Sequence, residues 1–347
     1  MDNMADLDTD PPEPRPLKVF KVRVADKLSA TPDPDIMISG IEGGVGKPLL
    51  LLHGFPQSSV AWTQILDILQ RSFRLIAMDL RGYGASSQPS IYLDSSRPPT
   101  DEERTKEHEL YNEWTLAKDC VNLMEQFGYK QFGICGHDRG ARVAHSVCTL
   151  FPHATIKAMF LDISPALQMY EDTNMRFAQD YFHWFFLTQP YPLPEKCITS
   201  QPLEFLKRFM PIYRQLNRET ILHYLDQLSN FRAVHSMCED YRATMAIDIE
   251  QAKDDLADNI KVKCPLRILW AKKGILHDPA DPEKPLRDWI DVHKHGNVTG
   301  AAVNCGHFML DEKPDEIAQA ILAFFSTMPD CNYSVESEEA GDDDNEL

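Results

Sequence analysis

The stretch QFGICGHDRGARVAHSV places an acid, Asp138, at the centre of GHDRG. Its outline is that of a nucleophile elbow, a tight strand-to-helix turn whose central residue is usually serine. A carboxylate in that position suits a different reaction. It can attack an sp³ carbon by in-line displacement, leaving an alkyl ester whose carbonyl belongs to the enzyme, and activated water then cleaves that ester. A serine would leave a stable ether. Gly136 and Gly140 fit a turn packed too closely for Cβ atoms. Aspartate is also a preferred helix N-cap, which is the alternative role for Asp138 taken alone.

Two further motifs supply what such an ester needs. HGFPQ (53–57) ends an apolar run, and the backbone amides of Phe55 and Arg139 are the candidate oxyanion donors. CGHFMLDEKPDEIA (305–318) sets His307 between the last strand and the last helix, the position of a water-activating base. Two acids could orient that histidine: Asp162, which ends KAMFLD, and Asp278 in WAKKGILHDPADP. Asp162 is preferred because it lies at a strand end and not several residues into a loop.

These residues need a scaffold that turns sharply at strand ends. PLLLLHG (48–54), FRLIAMD (73–79), QFGICG (131–136) and KAMFLD (157–162) read as buried strands, and the alternation resumes with LRILWA (266–271) and VTGAAV (298–303). TLAKDCVNLMEQFG (115–128) and PDEIAQAILAFF (314–325) carry one-sided apolar stripes between and after them. The alternation predicts an α/β fold, a mostly parallel sheet flanked by helices. From 165 to 258 the pattern becomes aromatic, helical and proline-broken, an inserted helical cap. The core then comprises 18–164 and 259–329. Residues 1–17 and 330–347 read as disordered tails, acidic and proline-rich at the front, acidic at the back. Residues 90–109 read as a polar surface excursion.

Composition narrows the partners. The net charge is −18, and the segment from Asp330 onward holds eight acids and no Lys or Arg. Such a field repels nucleic acid and anionic membrane surfaces, so an anionic substrate requires locally placed positive charge. No apolar run is long enough to span a bilayer, and the N-terminus lacks the basic flank and apolar run of a leader. Eight scattered cysteines without CxxC suggest free thiols, with the cytoplasm as the expected compartment.

Taken together, LLLLHGFPQ, DLRGYGAS, GHDRGARVAH, LDISP, YFHWFFLTQPYPLPE, MCEDYRA and the final GHF resemble the fluoroacetate dehalogenases of the α/β-hydrolase superfamily, with the epoxide hydrolases as the wider group. The resemblance runs from about 48 to 325. It implies the α/β-hydrolase fold, Asp138 as nucleophile, His307 as base, Asp162 as its acid, Arg139 and Arg142 as a carboxylate clamp, and His183, Trp184 and Tyr241 as halide site. It further implies a small 2-haloacid substrate, no metal or organic cofactor, and a possible homodimer. The side chains suit these roles: two guanidiniums three residues apart can share a helix face and grip a carboxylate, and departing fluoride needs several converging donors. Epoxide opening is the nearest alternative. It uses the same Asp and His but protonates the ring oxygen, usually from two cap tyrosines; Tyr241 could be one, while Trp184 occupies the place where the other is expected.

Overall fold

The structure is a computed structural model that describes residues 13–24, 35–93, 95 and 97–330. One sheet of eight strands carries the core: β1 (Lys18–Val24), β2 (Ile36–Gly44), β3 (Lys47–Leu52), β4 (Phe73–Met78), β5 (Phe132–His137), β6 (Thr155–Leu161), β7 (Leu266–Ala271) and β8 (Val298–Val303). They lie in the order β1-β2-β4-β3-β5-β6-β7-β8. The pairs β1–β2 and β2–β4 are antiparallel, and every pair from β4 through β3 to β8 is parallel.

A parallel sheet covered on both faces selects near-continuous apolar strands, because successive side chains point to opposite layers. In β3, Leu50 and Leu52 enter one buried cluster while Leu49 and Leu51 enter the other. β4 divides likewise, with Ile76 and Met78 on one side and Leu75 and Ala77 on the other. All four β3 leucines are fully buried. At about 1.5–3 kcal/mol for each such side chain, this strand anchors the loop that follows it.

Between β6 and β7 the chain leaves the sheet and forms helices from Ala166 to Ala257. The helix Phe231–Ala243 passes into a π-helical turn, Thr244–Asp248, and then the helix Ile249–Ala257. Pro194 and Pro202 each sit in a first helical turn, where a missing N–H costs least.

Two parts of the sequence reading change. β1 and β2 add an antiparallel edge that the apolar-run criterion did not pick out. The excursion at 90–109 is only partly superficial: it contains the helix Asp101–Glu109, and both Tyr92 and Glu107 are buried. Glu107 goes inward because His235 of the cap meets its carboxylate at 2.9 Å. Of the two expected tails, residues 1–12 and 331–347 lie outside the described residues. Order begins before Lys18, since the Arg15 carbonyl accepts from the Gly44 amide at 2.8 Å. Among the described residues no helix is long and apolar enough to cross a membrane, and seven cysteines are free thiols.

Candidate active site

Four strand ends converge at one edge of the sheet: His53–Phe55 after β3, Asp138 after β5, Asp162 after β6 and His307 after β8. Asp138 adopts φ 49°, ψ −120°, a region an L-residue enters only under constraint. Its side chain does not cap the following helix Arg139–Leu150, which removes the N-cap alternative. Close packing enforces the turn. A Cβ on Gly140 would sit 2.4 Å from the carbonyl oxygens of Leu52 and His53, and one on Gly54 would sit 2.5 Å from the Cβ of Asp138.

The Phe55 amide donates to Asp138 Oδ1 at 3.0 Å. His307 Nε2 faces Asp138 Oδ2 at 3.5 Å, and its Nδ1 lies 2.6 Å from Asp162 Oδ2. Asp162 is in turn fixed by the Ala271 amide, which donates to Oδ1 at 2.8 Å. Asp278 is exposed and, among the described residues, its carboxylate accepts only from the nearby Ala280 amide. The geometry therefore selects Asp162 as the acid beside His307. Burial alone would raise the Asp138 pKa, but the hydrogen bond and charge of His307, the charge of His137 and the Arg139 amide hold it well below the usual carboxylate range. Burial alone would depress His307, but its hydrogen bonds to Asp138 and Asp162 and their charges push it up to about 10.

The expected arginine pair divides. Arg139 is spent on the cap: Nε donates to Asp240 Oδ2 at 3.0 Å, Nη2 pairs with Asp240 Oδ1, and Nη2 also donates to Thr244 Oγ1 at 2.9 Å. Tyr83 donates to the same Asp240 carboxylate at 2.7 Å. Arg139, expected as half of the clamp, is thus ion-paired to the cap through Nε and Nη2, as a guanidinium this buried requires a counter-charge. Arg142 has no such partner among the described residues. Its Nη2 lies 3.3 Å from Met169 Sδ, its Nε is buried and unbonded, and burial lowers its pKa.

The three expected halide donors meet above this pair. Tyr241 lies 5.9 Å from His183 and 6.5 Å from Trp184, ring centre to ring centre. Arg139 sits 5.0 Å over the Tyr241 ring and Arg142 4.9 Å over that of Trp184. Trp184 Nε1 and the Tyr241 hydroxyl are both buried without a hydrogen-bond partner among the described residues. Burial pushes His183 down to about 3, so its imidazole is neutral.

A cavity of about 120 Å³ reaches Asp138, His307, Phe55 and His183. It also reaches Tyr181, whose hydroxyl lies 3.3 Å from His307 Nδ1. Sequence reasoning missed Tyr181, Asp240 and Thr244. Tyr181 stands two residues before His183 within YFHWFF, and Asp240 directly precedes Tyr241 in CEDYRA. The one available signal for Asp240 was the need of a buried Arg139 for a carboxylate.

In the cap, Glu195, His235 and Glu239 present ligand atoms within 4.8 Å of one another. A cation already fills that position: Arg242 Nη1 donates to Glu195 and to Glu239, each at 2.7 Å.

Comparison with known proteins gives the same fold. Residues 47–199 match the family model of the alpha/beta hydrolase fold. The chain is 32% identical to a fluoroacetate dehalogenase from Burkholderia sp over 297 residues, covering 84% of this chain and 91% of that one. It is 29% identical to a soluble epoxide hydrolase from Corynebacterium sp. (strain C12), covering 83% and 93%. The crystal structure of a candidate α/β hydrolase from Nostoc sp PCC 7120 superposes with a TM-score of 0.77 at 36% identity, covering 89% of this chain and 97% of that one. With a carboxylate on the elbow, a histidine and acid behind it and a helical cap above, the chain belongs to the α/β-hydrolase family, among the fluoroacetate dehalogenases and their epoxide hydrolase relatives.

Proposed function

We propose that this protein is a haloacetate dehalogenase, which hydrolyses the carbon–halogen bond of fluoroacetate and related 2-haloacids through an ester on Asp138. The observation that carries this reading is the set of buried donors left without partners beside the nucleophile: Arg142 Nε, Trp184 Nε1 and the Tyr241 hydroxyl. Unmet buried donors cost stability, and an incoming anion would satisfy them.

The reaction runs in two steps. Asp138 attacks the α-carbon with an oxygen lone pair while the halogen leaves with the bonding electrons toward His183, Trp184 and Tyr241. Esterification removes the charge of Asp138, and with it one of the two carboxylates that hold the His307 proton. His307, released to act as base with Asp162 behind it, takes a proton from water. The hydroxide adds to the ester carbonyl, whose oxyanion lies against the Phe55 and Arg139 amides. Collapse expels the hydroxyacid oxygen, which takes the proton from His307, and the proton left on the Asp138 carboxyl then passes to His307, restoring the resting pair. The proton that His307 gave up to solvent on becoming a base balances the halide released.

A second reading, epoxide hydrolysis, is favoured by one observation. Tyr181 sits beside His307 in the cavity and supplies, with Tyr241, the second hydroxyl that ring opening needs.

The test is direct: incubate the purified protein with fluoroacetate, chloroacetate and styrene oxide, and measure fluoride, chloride and diol. Halide release with little diol is expected; diol without halide hands the function to the second reading. In a single turnover in heavy-oxygen water the label is expected first in the Asp138 carboxylate. Label appearing only in the product hydroxyl overturns the ester.

A further inference from the structure

The catalytic cavity opens to solvent between Asp180, Arg208 and Pro211, all three exposed. A 2-haloacid arriving there meets two unfavourable fields, the −18 net charge of the chain and the ionised Asp138 at the inner end. The charges at the mouth are not equivalent. Asp180 is paired with Arg176 at 3.6 Å, so its charge is partly balanced. Arg208 has no carboxylate partner among the described residues. It is nevertheless held in place: Nη2 donates to the Gln179 carbonyl at 2.6 Å, and the guanidinium lies 4.6 Å over the Phe182 ring. A positive charge fixed by a carbonyl and a ring face keeps its remaining N–H groups for an anion. Arg142, the other guanidinium without a carboxylate among the described residues near the site, lies outside this lining against Trp184 and Met169.

We propose that Arg208 is a capture site at the cavity mouth, which binds the carboxylate of the incoming 2-haloacid and releases it inward along the cavity toward His183 and Asp138. The inference rests on the haloacid reading of the active site. It deepens that reading by assigning the rate of substrate capture to a residue outside the reacting centre. Arg208 touches no reacting atom, so its charge bears on kcat/KM and leaves kcat alone. A steering charge at a mouth acts over roughly a Debye length, about 10 Å at 0.1 M salt, and fades as salt rises.

The experiment compares wild type, Arg208→Gln and Arg208→Lys with chloroacetate across a salt series. Expected in Arg208→Gln is a roughly fivefold loss of kcat/KM at low salt that shrinks toward none at high salt, with kcat unchanged and most of the loss restored in Arg208→Lys. Identical salt slopes in wild type and Arg208→Gln overturn the proposal, as does a loss of kcat. A second measurement separates this from the chemistry. In an Asp138→Asn background, binding of fluoroacetate is followed by tryptophan fluorescence in stopped flow, with and without Arg208→Gln. Slower association in the double variant supports capture even if the wild type releases no halide. Equal association rates beside active halide release sink the capture site and leave the dehalogenase reading intact.

Discussion

On one side of Asp138, the Phe55 amide, His307, Asp162 and the Ala271 amide form a closed chain in which each group meets the next. On the other side, Arg142 Nε, Trp184 Nε1 and the Tyr241 hydroxyl are as deeply buried and meet nothing among the described residues. The two neighbouring arginines repeat the contrast. Arg139 is ion-paired with Asp240 and bonded to Thr244, while Arg142 rests on a thioether and an indole face. On the proposed reading, groups that act in every turnover are held by permanent partners, and groups that recognise an anion are left for the anion to complete. Preorganised but unsatisfied donors cost fold stability and gain complementarity to the substrate.

Three measurements break or sharpen this contrast. The largest effect is expected from Asp162→Asn, which removes the acid from the closed chain while keeping its shape. Loss of the acid behind a catalytic histidine is worth about 10⁴-fold in turnover, so kcat falls by that order while Asp278→Asn stays near wild type. A folded Asp278→Asn that loses turnover, beside an active Asp162→Asn, refutes the assignment. The second measurement is urea unfolding of Arg139→Met and Arg142→Met. Arg139→Met leaves Asp240 buried and unpaired and is expected to destabilise by about 3–5 kcal/mol. Arg142→Met removes a buried charge with no carboxylate and is expected near neutral in stability, yet with a raised KM for haloacetates. Equal destabilisation by the two erases the distinction between them. The third is Trp184→Phe, which keeps the ring bulk and removes one N–H. One donor lost to developing charge costs about 3 kcal/mol, on the order of a hundredfold. Fluoride release should fall by that factor, and chloride release by less because chloride is larger and its charge more diffuse. Equal losses on both halides remove Trp184 from the halide site.

Much of this site was legible in the sequence because its parts occupy fixed places in the fold. Asp138 and Asp162 each follow a strand whose buried run is visible in the chain, while β8 before His307 is largely half-exposed and is marked instead by its place ahead of the last helix. β1 escaped because KVFKVRV keeps four of seven positions exposed, and β2 because glycines interrupt IMISGIEGG. The cap was legible as a helical insertion but not in its contacts. Tyr181 and Asp240 are brought to the site by helices whose register depends on packing, and no local pattern encodes which face turns inward. The excursion at 90–109 looked superficial for the same reason: the charge of Glu107 suggests water until His235, distant in sequence, is placed beside it.

The bond from Arg139 to Asp240 also bears on how molecules come and go. Arg139 is the residue next to the nucleophile, and Asp240 belongs to the long cap helix, with Tyr83 of the core bound to the same carboxylate. Swinging the cap away would pull a buried ion pair apart and drag the elbow with it. That ion pair therefore opposes hinge opening of the cap. With the cap so held, the cavity of about 120 Å³ is the space a substrate must fit, and on the proposed reading a small one that shares it with a departing ion has the advantage over a bulky one.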